Sequence, residues 1–145
     1  MDAQESKRKE LLEASRTIAM VGLSPKTDKP SNIVARYLKS KGYRVIPVNP
    51  NYGEVLGEKS YGKLSEISEK IDVVDIFMRA ENVVPVVEEA VKLRPRAIWL
   101  QLGIVSDEAR SIAERSGIMF IQDRCMKQEH ERLLEAAKPQ PAGAA

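Results

Sequence analysis

Short apolar runs alternate with longer amphipathic stretches along most of the chain. Runs of four to six mostly apolar residues, many of them branched at the β-carbon, are typical of buried strands. Such runs predict strands at residues 17–21, 43–48, 73–77, 97–100 and 118–121. Apolar positions that recur every three to four residues predict helices at about 4–14, 31–41, 82–93, 106–116 and 123–137.

Polar residues and glycines mark the ends of the predicted helices. A short polar side chain at a helix start can accept a hydrogen bond from an unpaired backbone N–H group. The predicted N-caps are Ser31, Asn82, Ser106 and Asp123. Gly42 follows the second helix in the C′ position. Residues 52–63 contain three glycines and are predicted to be an irregular loop over the sheet edge, and 64–69 to be one helical turn.

Five strands alternating with helices predict right-handed βαβ units and a parallel sheet covered on both faces. We therefore predict an α/β fold, a Rossmann-like doubly wound three-layer sandwich with strand order 3-2-1-4-5. The domain is predicted to span residues 17–137, after a leading helix in 1–16 and before a disordered tail, 138–145. Ligands of such sheets bind beyond the carboxyl ends of the strands, where the strand order reverses. The segments at that edge are 22–24, 49–50, 77–79, 101–103 and 123–125.

Composition excludes several classes of protein. Apolar residues make up 43% and charged residues 30% of the 145 positions, which is typical of a soluble domain. No stretch approaches the roughly 20 apolar residues of a membrane-spanning helix. The N-terminus lacks the apolar core of a secretory signal, so we expect a cytoplasmic protein. One cysteine and one histidine argue against a disulfide or a zinc site, and no metal is predicted.

The charge distribution argues against a nucleic-acid surface. The chain has 23 basic and 21 acidic residues, a net charge of +2, and the basic residues are scattered among the acids. Aromatic residues amount to only 5%, too few for a base-stacking platform. We therefore expect neither nucleic acid nor membrane as a partner. A protein partner or homo-oligomer stays open.

The stretch 17–32 has the parts of an anion-binding corner. An apolar strand breaks at Gly22 into a polar loop with Ser24, Lys26 and Lys29, and Ser31 then opens a helix. Unpaired N–H groups at a helix start, together with the helix dipole, favour an anion there. The alternatives are that the lysines are only solvated and that Ser31 is only an N-cap.

The corner departs from the dinucleotide fingerprint of NAD enzymes. That fingerprint has three glycines as G-x-G-x-x-G and an acid at the end of the second strand. Here Ser24 stands in place of the second glycine, and the second strand ends at Val48, Asn49 and Pro50, without an acid. An acid would bind ribose hydroxyls and repel a phosphorylated ribose. Its absence leaves the ribose end open to a phosphate.

Five motifs in order resemble a known family: GLSPKTDKPSNIVARYL, VIPVNPNYGEVLGEKSYGKL, DIFMRAENV, IWLQLGI and IQDRCMKQEH. The chain resembles the small single-domain CoA-binding proteins, which are similar to the nucleotide-binding domain at the start of the succinyl-CoA synthetase alpha subunit. The resemblance covers about residues 17–134. It implies a Rossmann-like fold that binds coenzyme A through its adenosine diphosphate portion.

The resemblance also implies which residues contact the ligand. It places the pyrophosphate at Gly22, Leu23, Ser24, Ser31 and Asn32 and the adenosine at Val48, Asn49 and Pro50. Phe77, Arg79 and Val83 would border the nucleotide, and Gln101 and Gly103 would flank the path of the pantetheine. Two of these residues have alternative roles. Arg79 could pair with Glu81 instead of a phosphate, and Gln101 could satisfy loop backbone.

Cys125 is the one candidate for covalent chemistry. It is predicted to lie in the first turn of the last helix, near Arg124 and Lys127, where a thiolate is favoured. A thiol there could form a mixed disulfide with coenzyme A, although a buried cysteine more often packs as a small apolar side chain. His130 falls on the apolar stripe of the same helix, so we expect a packed, hydrogen-bonded histidine.

The sequence therefore predicts a protein that binds coenzyme A or an acyl-CoA without catalysis, and we predict no catalytic residue. The alternative is an enzyme, either an NAD(P)-linked oxidoreductase or a subunit of a CoA-ligase complex. Asn49 in place of an acid argues against the oxidoreductase. An interaction protein without any nucleotide ligand is the third class.

Overall fold

The computed structural model describes residues 1–135. The strands are β1 Thr17–Val21, β2 Arg44–Val48, β3 Glu54–Val55, β4 Glu58–Lys59, β5 Val73–Ile76, β6 Ala97–Leu100 and β7 Met119–Ile121. The α-helices are α1 Ala3–Ala14, α2 Pro30–Ser40, α3 Val83–Lys92, α4 Asp107–Arg115 and α5 Met126–His130. Short 3₁₀ turns cover Leu64–Glu66 and Ala80–Asn82, and a π-helical turn, Glu131–Glu135, extends α5. The predicted end of the last helix at 137 and the tail 138–145 lie outside the described residues.

The main sheet is five-stranded and parallel, which confirms the predicted fold class. Its order is β2-β1-β5-β6-β7, so the predicted order 3-2-1-4-5 is wrong. β5, the third strand of this sheet along the chain, pairs with β1 instead of lying outside β2. All four residues of β5 are buried, which requires a central position with layers on both faces.

The outer edge of β2 has a different partner. Tyr61 forms a parallel bridge with Val48, in which Tyr61 N donates to Pro47 O at 3.0 Å and Asn49 N to Tyr61 O at 2.8 Å. Residues 52–63, predicted to be irregular, also contain the antiparallel pair β3–β4. This segment therefore covers the edge at which the predicted order placed the third strand.

Side chains of the sheet alternate between two apolar layers, as strand geometry requires. Ile18, Met20 and Trp99 pack in the layer with α1, α2 and α5. Ala19 and Ile98 pack in the layer with α3 and α4. The two layers give the three-layer arrangement that was predicted. Among residues 1–135 no helix combines the length and the apolar character needed to cross a membrane.

Two helix starts differ from the sequence prediction. α2 begins at Pro30 with Lys29 at the N-cap, so Ser31 lies inside the first turn. Proline is preferred there because its fixed φ and missing N–H suit the first helical position. α5 begins at Met126 with Cys125 at the N-cap, three residues after the predicted start. Asp123 instead takes a left-handed φ of 57°, which a helix start does not have.

The other two predicted N-caps are confirmed. The Ser106 side chain accepts a hydrogen bond from Ala109 N at 3.1 Å and caps α4. Asn82 stands at the N-cap of α3 without a side-chain hydrogen bond, because a 3₁₀ turn leads directly into the helix.

Candidate functional site

The strand order reverses between β1 and β5, and the loops that follow these two strands touch there. Phe77 N donates to Val21 O at 2.9 Å, and Gly22 N donates to Val48 O at 2.9 Å. Gly22 has a φ of 85°, and a β-carbon at this position would lie 2.0 Å from the Phe77 carbonyl oxygen. Only glycine fits such a backbone contact. This contact marks the topological switch point of the sheet, where a ligand crevice is expected.

The loop after Gly22 is fastened to the first turn of α2. Ser24 N donates to Ser31 Oγ at 3.0 Å, and Asn32 Nδ2 donates to Ser24 O at 2.8 Å. Lys26 N donates to Ser24 Oγ at 3.1 Å. The side chains of Ser31 and Asn32 are buried in these bonds. Both residues therefore shape the corner with their side chains.

Backbone N–H groups at this corner lack acceptors. Among residues 1–135 we find no hydrogen-bond acceptor for the N–H groups of Leu23, Ser31 and Asn32. The positive end of the α2 dipole adds to their field. Lys26 and Lys29 are exposed beside the loop, and neither forms an ion pair within the described part of the chain. The corner thus combines free donors with unpaired positive charge, which is the chemistry of a phosphate site.

Arg36 supports the corner and was missed by the sequence analysis. Its Nε donates to Asn32 Oδ1 at 2.8 Å, and its Nη2 donates to Thr27 O at 2.8 Å. Arg36 follows Asn32 by four residues on α2, and side chains at that spacing share one helix face. The spacing was therefore the available signal.

Asn49 ties the loop after β2 to the loop after β1. Its Nδ2 donates to Leu23 O at 3.0 Å, and its Oδ1 accepts from Asn51 N at 3.0 Å. A carboxylate could not donate to the Leu23 carbonyl, so an acid here would break the contact between the two loops. The position that carries an acid in NAD sites is therefore filled by a neutral residue with a structural role.

A cavity of about 370 Å³ lies next to this contact. Its walls include Gly22, Val48, Asn49 and Pro50, four of the residues predicted to bind the ligand. Other residues that line it were not predicted from the sequence, namely Val21, Asn51, Gly62, Lys63, Leu64, Met78, Val86 and Glu89. Three of them, Met78, Val86 and Glu89, follow β5 or lie on α3. β5 pairs with β1 only in the observed strand order.

The residues after β5 have different environments. The side chain of Arg79 is 84% exposed, and its nearest acid is Glu81 at 4.0 Å, too far for a strong ion pair. Val83 is fully buried in the apolar layer with α3 and α4. The core thus leaves its side chain no accessible surface, and its contact with the nucleotide stays a prediction.

Gln101 is also buried, and its amide is used inside the protein. Its Nε2 donates to Asp75 Oδ1, and its Oε1 accepts from Met126 N at 3.3 Å. Gly103 has a φ of 85° and donates its N–H to Asp123 Oδ1 at 2.7 Å. Both residues thus hold the segment before α5 against the sheet, the structural role left open for Gln101.

Asp75 was missed altogether. It is fully buried in β5, and its Oδ2 has no hydrogen-bond partner within residues 1–135. Burial raises the pKa of this carboxyl to about 7, and the hydrogen bond from Gln101 only partly opposes the effect. The available signal was a single acid inside an otherwise apolar strand.

Cys125 lies half-buried at the start of α5. The residue before it is fixed by Trp99, whose Nε1 donates to Arg124 O at 2.8 Å. His130 is buried as expected, with its Nδ1 2.8 Å from the Tyr37 hydroxyl. Within residues 1–135 no group of three or more potential metal ligands is found.

Relatives with known structures share this fold. A hypothetical protein from Pyrococcus horikoshii OT3 superposes with a TM-score of 0.87 and 42% identity, over 90% of this chain and 92% of that one. Acetyl-coenzyme A synthetase 1 from Ca. Korarchaeum cryptofilum superposes with a TM-score of 0.67 and 25% identity, over 79% of this chain but only 28% of that one.

Relatives with similar sequences are likewise of two kinds, proteins of about the same length as this chain and much larger ligases. The Bacillus subtilis (strain 168) protein YneT is 39% identical over 122 residues, which are 84% of this chain and 90% of that protein. The ADP-forming acetate–CoA ligase I of Archaeoglobus fulgidus is 28% identical over 121 residues, 77% of this chain but 18% of the ligase. The family model described as a CoA binding domain matches residues 16–131. The chain therefore belongs to the CoA binding domain family.

Proposed function

We propose that the protein binds coenzyme A or an acyl-CoA through its ADP portion at the carboxyl edge of the sheet, without catalysis. The observation that carries the proposal is the corner between β1 and α2. There the N–H groups of Leu23, Ser31 and Asn32 lack acceptors within residues 1–135, and Lys26 and Lys29 are exposed beside them. A pyrophosphate supplies the acceptors and the negative charge that this corner lacks.

The adenosine is assigned to the cavity beside the corner. Its volume of about 370 Å³ and its wall residues Val48, Pro50 and Met78 suit a flat purine ring. Asn49 stands where an NAD site has an acid, so nothing at that position repels a phosphorylated ribose. Coenzyme A carries such a phosphate on its ribose.

Two observations support binding without catalysis. Cys125 precedes α5, and His130 lies five residues later at the end of that helix. His130 is buried against Tyr37, so the two do not form a nucleophile–base pair. The chain also corresponds to only 18% of the Archaeoglobus ligase I. Ligase activity, which belongs to that whole protein, is therefore not assigned to this chain, and a larger acyl-CoA system is its expected partner.

Titration calorimetry with coenzyme A, 3′-dephospho-CoA, NAD and NADP tests the proposal. We expect coenzyme A to bind more tightly than 3′-dephospho-CoA and NAD to bind weakly. Asn49→Asp should weaken coenzyme A more than 3′-dephospho-CoA, because the added carboxylate repels the extra phosphate. Comparing the two ligands in one variant separates this repulsion from the lost hydrogen bond to Leu23, which affects both. Binding of NAD and none of coenzyme A would overturn the proposal.

A further inference from the structure

Asp75 lies on the side of the sheet that packs against α2, the helix of the anion corner. Val73 packs in the layer with α1, α2 and α5, and Asp75, two residues later, points to the same face. The N-terminal end of α2 lies in this layer. Asp75 precedes Phe77 by two residues, which places it about 7 Å along the strand from the contact with Gly22.

The hydrogen bonds of Asp75 do not depend on its charge. Met126 N is a donor, so the Gln101 amide must turn its Oε1 toward Met126 and its Nε2 toward Asp75. Asp75 Oδ1 therefore accepts from Gln101 in both protonation states. A proton can only sit on Oδ2, which has no partner among residues 1–135. Titration of Asp75 thus changes the charge on this side of the sheet without breaking either bond.

The elements packed around Asp75 offer no charge that compensates for it. The neighbouring strands β1 and β6 contain no ionisable side chain. The buried or half-buried ionisable groups of this layer lie on its helices, at their ends and before β2. They are Glu5, Arg8 and Lys9 on α1, Tyr37 and Lys39 on α2, Tyr43 before β2, Cys125 before α5, Lys127, Glu129 and His130 on α5, and Glu131 and Glu135 on the turn that extends α5. Several of them pair with one another or with surface acids: Arg8 with Glu129, Tyr37 with His130, Lys39 with Glu58, and Lys127 with Glu131.

We propose that the ligand's phosphates bind tightly only when Asp75 is protonated, so that binding takes up a proton and weakens as the pH rises. This inference rests on the proposed function and adds a regulation to the same site. A buried carboxylate on the corner side of the sheet repels an anion at the α2 N-terminus. Protonation removes that repulsion and leaves the Gln101 bond intact.

Coulomb's law gives the size of the effect. For a phosphate about 10 Å from Asp75 and an effective dielectric constant of about 20, ionisation of Asp75 would weaken binding by about tenfold for each negative charge on the ligand. The coupling is reciprocal, so the bound anion raises the pKa of Asp75 further. Because that pKa is about 7 in the free protein and higher in the complex, the affinity falls mainly between about pH 6.5 and 8.5.

The test is the affinity for coenzyme A measured from about pH 5.5 to 8.5 in the native protein, in Asp75→Asn and in the control Glu88→Gln. Glu88 is exposed on α3, and its substitution makes the same change from carboxylate to amide. We expect wild type and E88Q to lose about tenfold more affinity across this range than D75N. D75N keeps a neutral group that can accept from Gln101. The ionisation of the ligand's own phosphate affects all three proteins equally.

Carbon NMR of the Asp75 carboxyl gives an independent measurement that needs no variant. We expect its titration midpoint near 7 in the free protein and higher in the complex. A midpoint below about 5 in both states, or equal pH profiles in wild type and D75N, would overturn the inference and leave coenzyme A binding intact. Failure of the wild type to bind coenzyme A at any pH would instead remove the proposed function itself.

Discussion

Gly22 is the residue on which the shape of the site depends most directly. Gly22→Ala would add a β-carbon 2.0 Å from the Phe77 carbonyl oxygen, at a φ of 85°. We expect a loss of stability well above the roughly 1–2 kcal/mol of the left-handed conformation alone, and weaker ligand binding, because the loops after β1 and β5 must separate. Chemical denaturation and calorimetry measure the two effects.

Gly42→Ala is the matched control for that change. Gly42 has a φ of 94° with nothing within 4 Å of an added β-carbon. Its substitution therefore measures the cost of the left-handed backbone conformation without a steric clash. Equal losses of stability in G22A and G42A would show that the Phe77 contact is unimportant.

Asp75 also makes the stability of the free protein depend on pH. The pKa of its carboxyl is about 7 in the folded protein, against an ordinary value of 3.8 for the solvated carboxyl of the unfolded chain. Between these two pH values the folded protein holds a proton that the unfolded chain has lost. Stability therefore falls as the pH rises through this window, by roughly 4 kcal/mol in total. Asp75→Asn removes this dependence on pH. The free energy of unfolding of the variant, relative to that of wild type, should therefore grow from pH 4 to pH 8. Parallel stability curves in urea would contradict this expectation.

Cys125 gives a test of covalent chemistry at the same edge. With oxidised coenzyme A, the Cys125 thiolate would attack the ligand's disulfide, form a protein–CoA mixed disulfide and release one coenzyme A thiol. We expect a single adduct by mass spectrometry, reversible with dithiothreitol and missing in Cys125→Ser, because the chain has only this cysteine. No adduct in the native protein would mean that Cys125 only packs.

Sequence reasoning at the residue scale found backbone positions better than side-chain roles. Gly22 and Asn49 were identified because a strand end and a turn signal are local features. The burial of Val83 and Gln101 was not predicted, because burial depends on which elements pack over a residue, and the chain alone does not show this. Asp75 was missed for the same reason, since its isolation became visible only with its neighbours in place.

At the scale of elements, the β1–α2 corner is the proposed anion site. Lys26→Ala and Lys29→Ala, separately and together, should weaken coenzyme A binding, and the loss should shrink at high salt because these side chains are exposed. Lys70→Ala, an exposed lysine just before β5 at the opposite end of the sheet, is the control. Calorimetry at two salt concentrations measures the effect, and an equal loss in K70A would refute a specific role for the corner.

The elements themselves were predicted from periodicity, but their neighbours in the sheet were not. Apolar runs identified the strands at 17–21 and 97–100 with the bounds of β1 and β6. Nothing local in residues 73–77 shows whether that strand pairs with β1 or β2. The Tyr61 bridge decides the matter by covering β2, and it lies in a stretch whose glycines predicted only a loop.

At the scale of the whole molecule, the proposed ligand should stabilise the fold, because its site would be built from loops of several strands. Coenzyme A at about 100 times its dissociation constant should stabilise the folded state by about 2.7 kcal/mol. For a chain of this length that corresponds to a rise of about 5–10 °C in Tm. Scanning calorimetry with coenzyme A, NAD and ATP measures it. An equal rise with all three ligands would indicate a site for nucleotides in general.

The cover that Tyr61 provides on β2 also limits how copies of this domain can associate. Its bonds to Pro47 and Asn49 use backbone groups that an incoming strand would need. Within residues 1–135 no strand pairs with the outer side of β7, the other edge of the sheet. Contact between the sheet edges of two copies is thus directed to β7. Two sheets joined through β7 would form a closed two-fold pair, and a row of sheets could not grow past it.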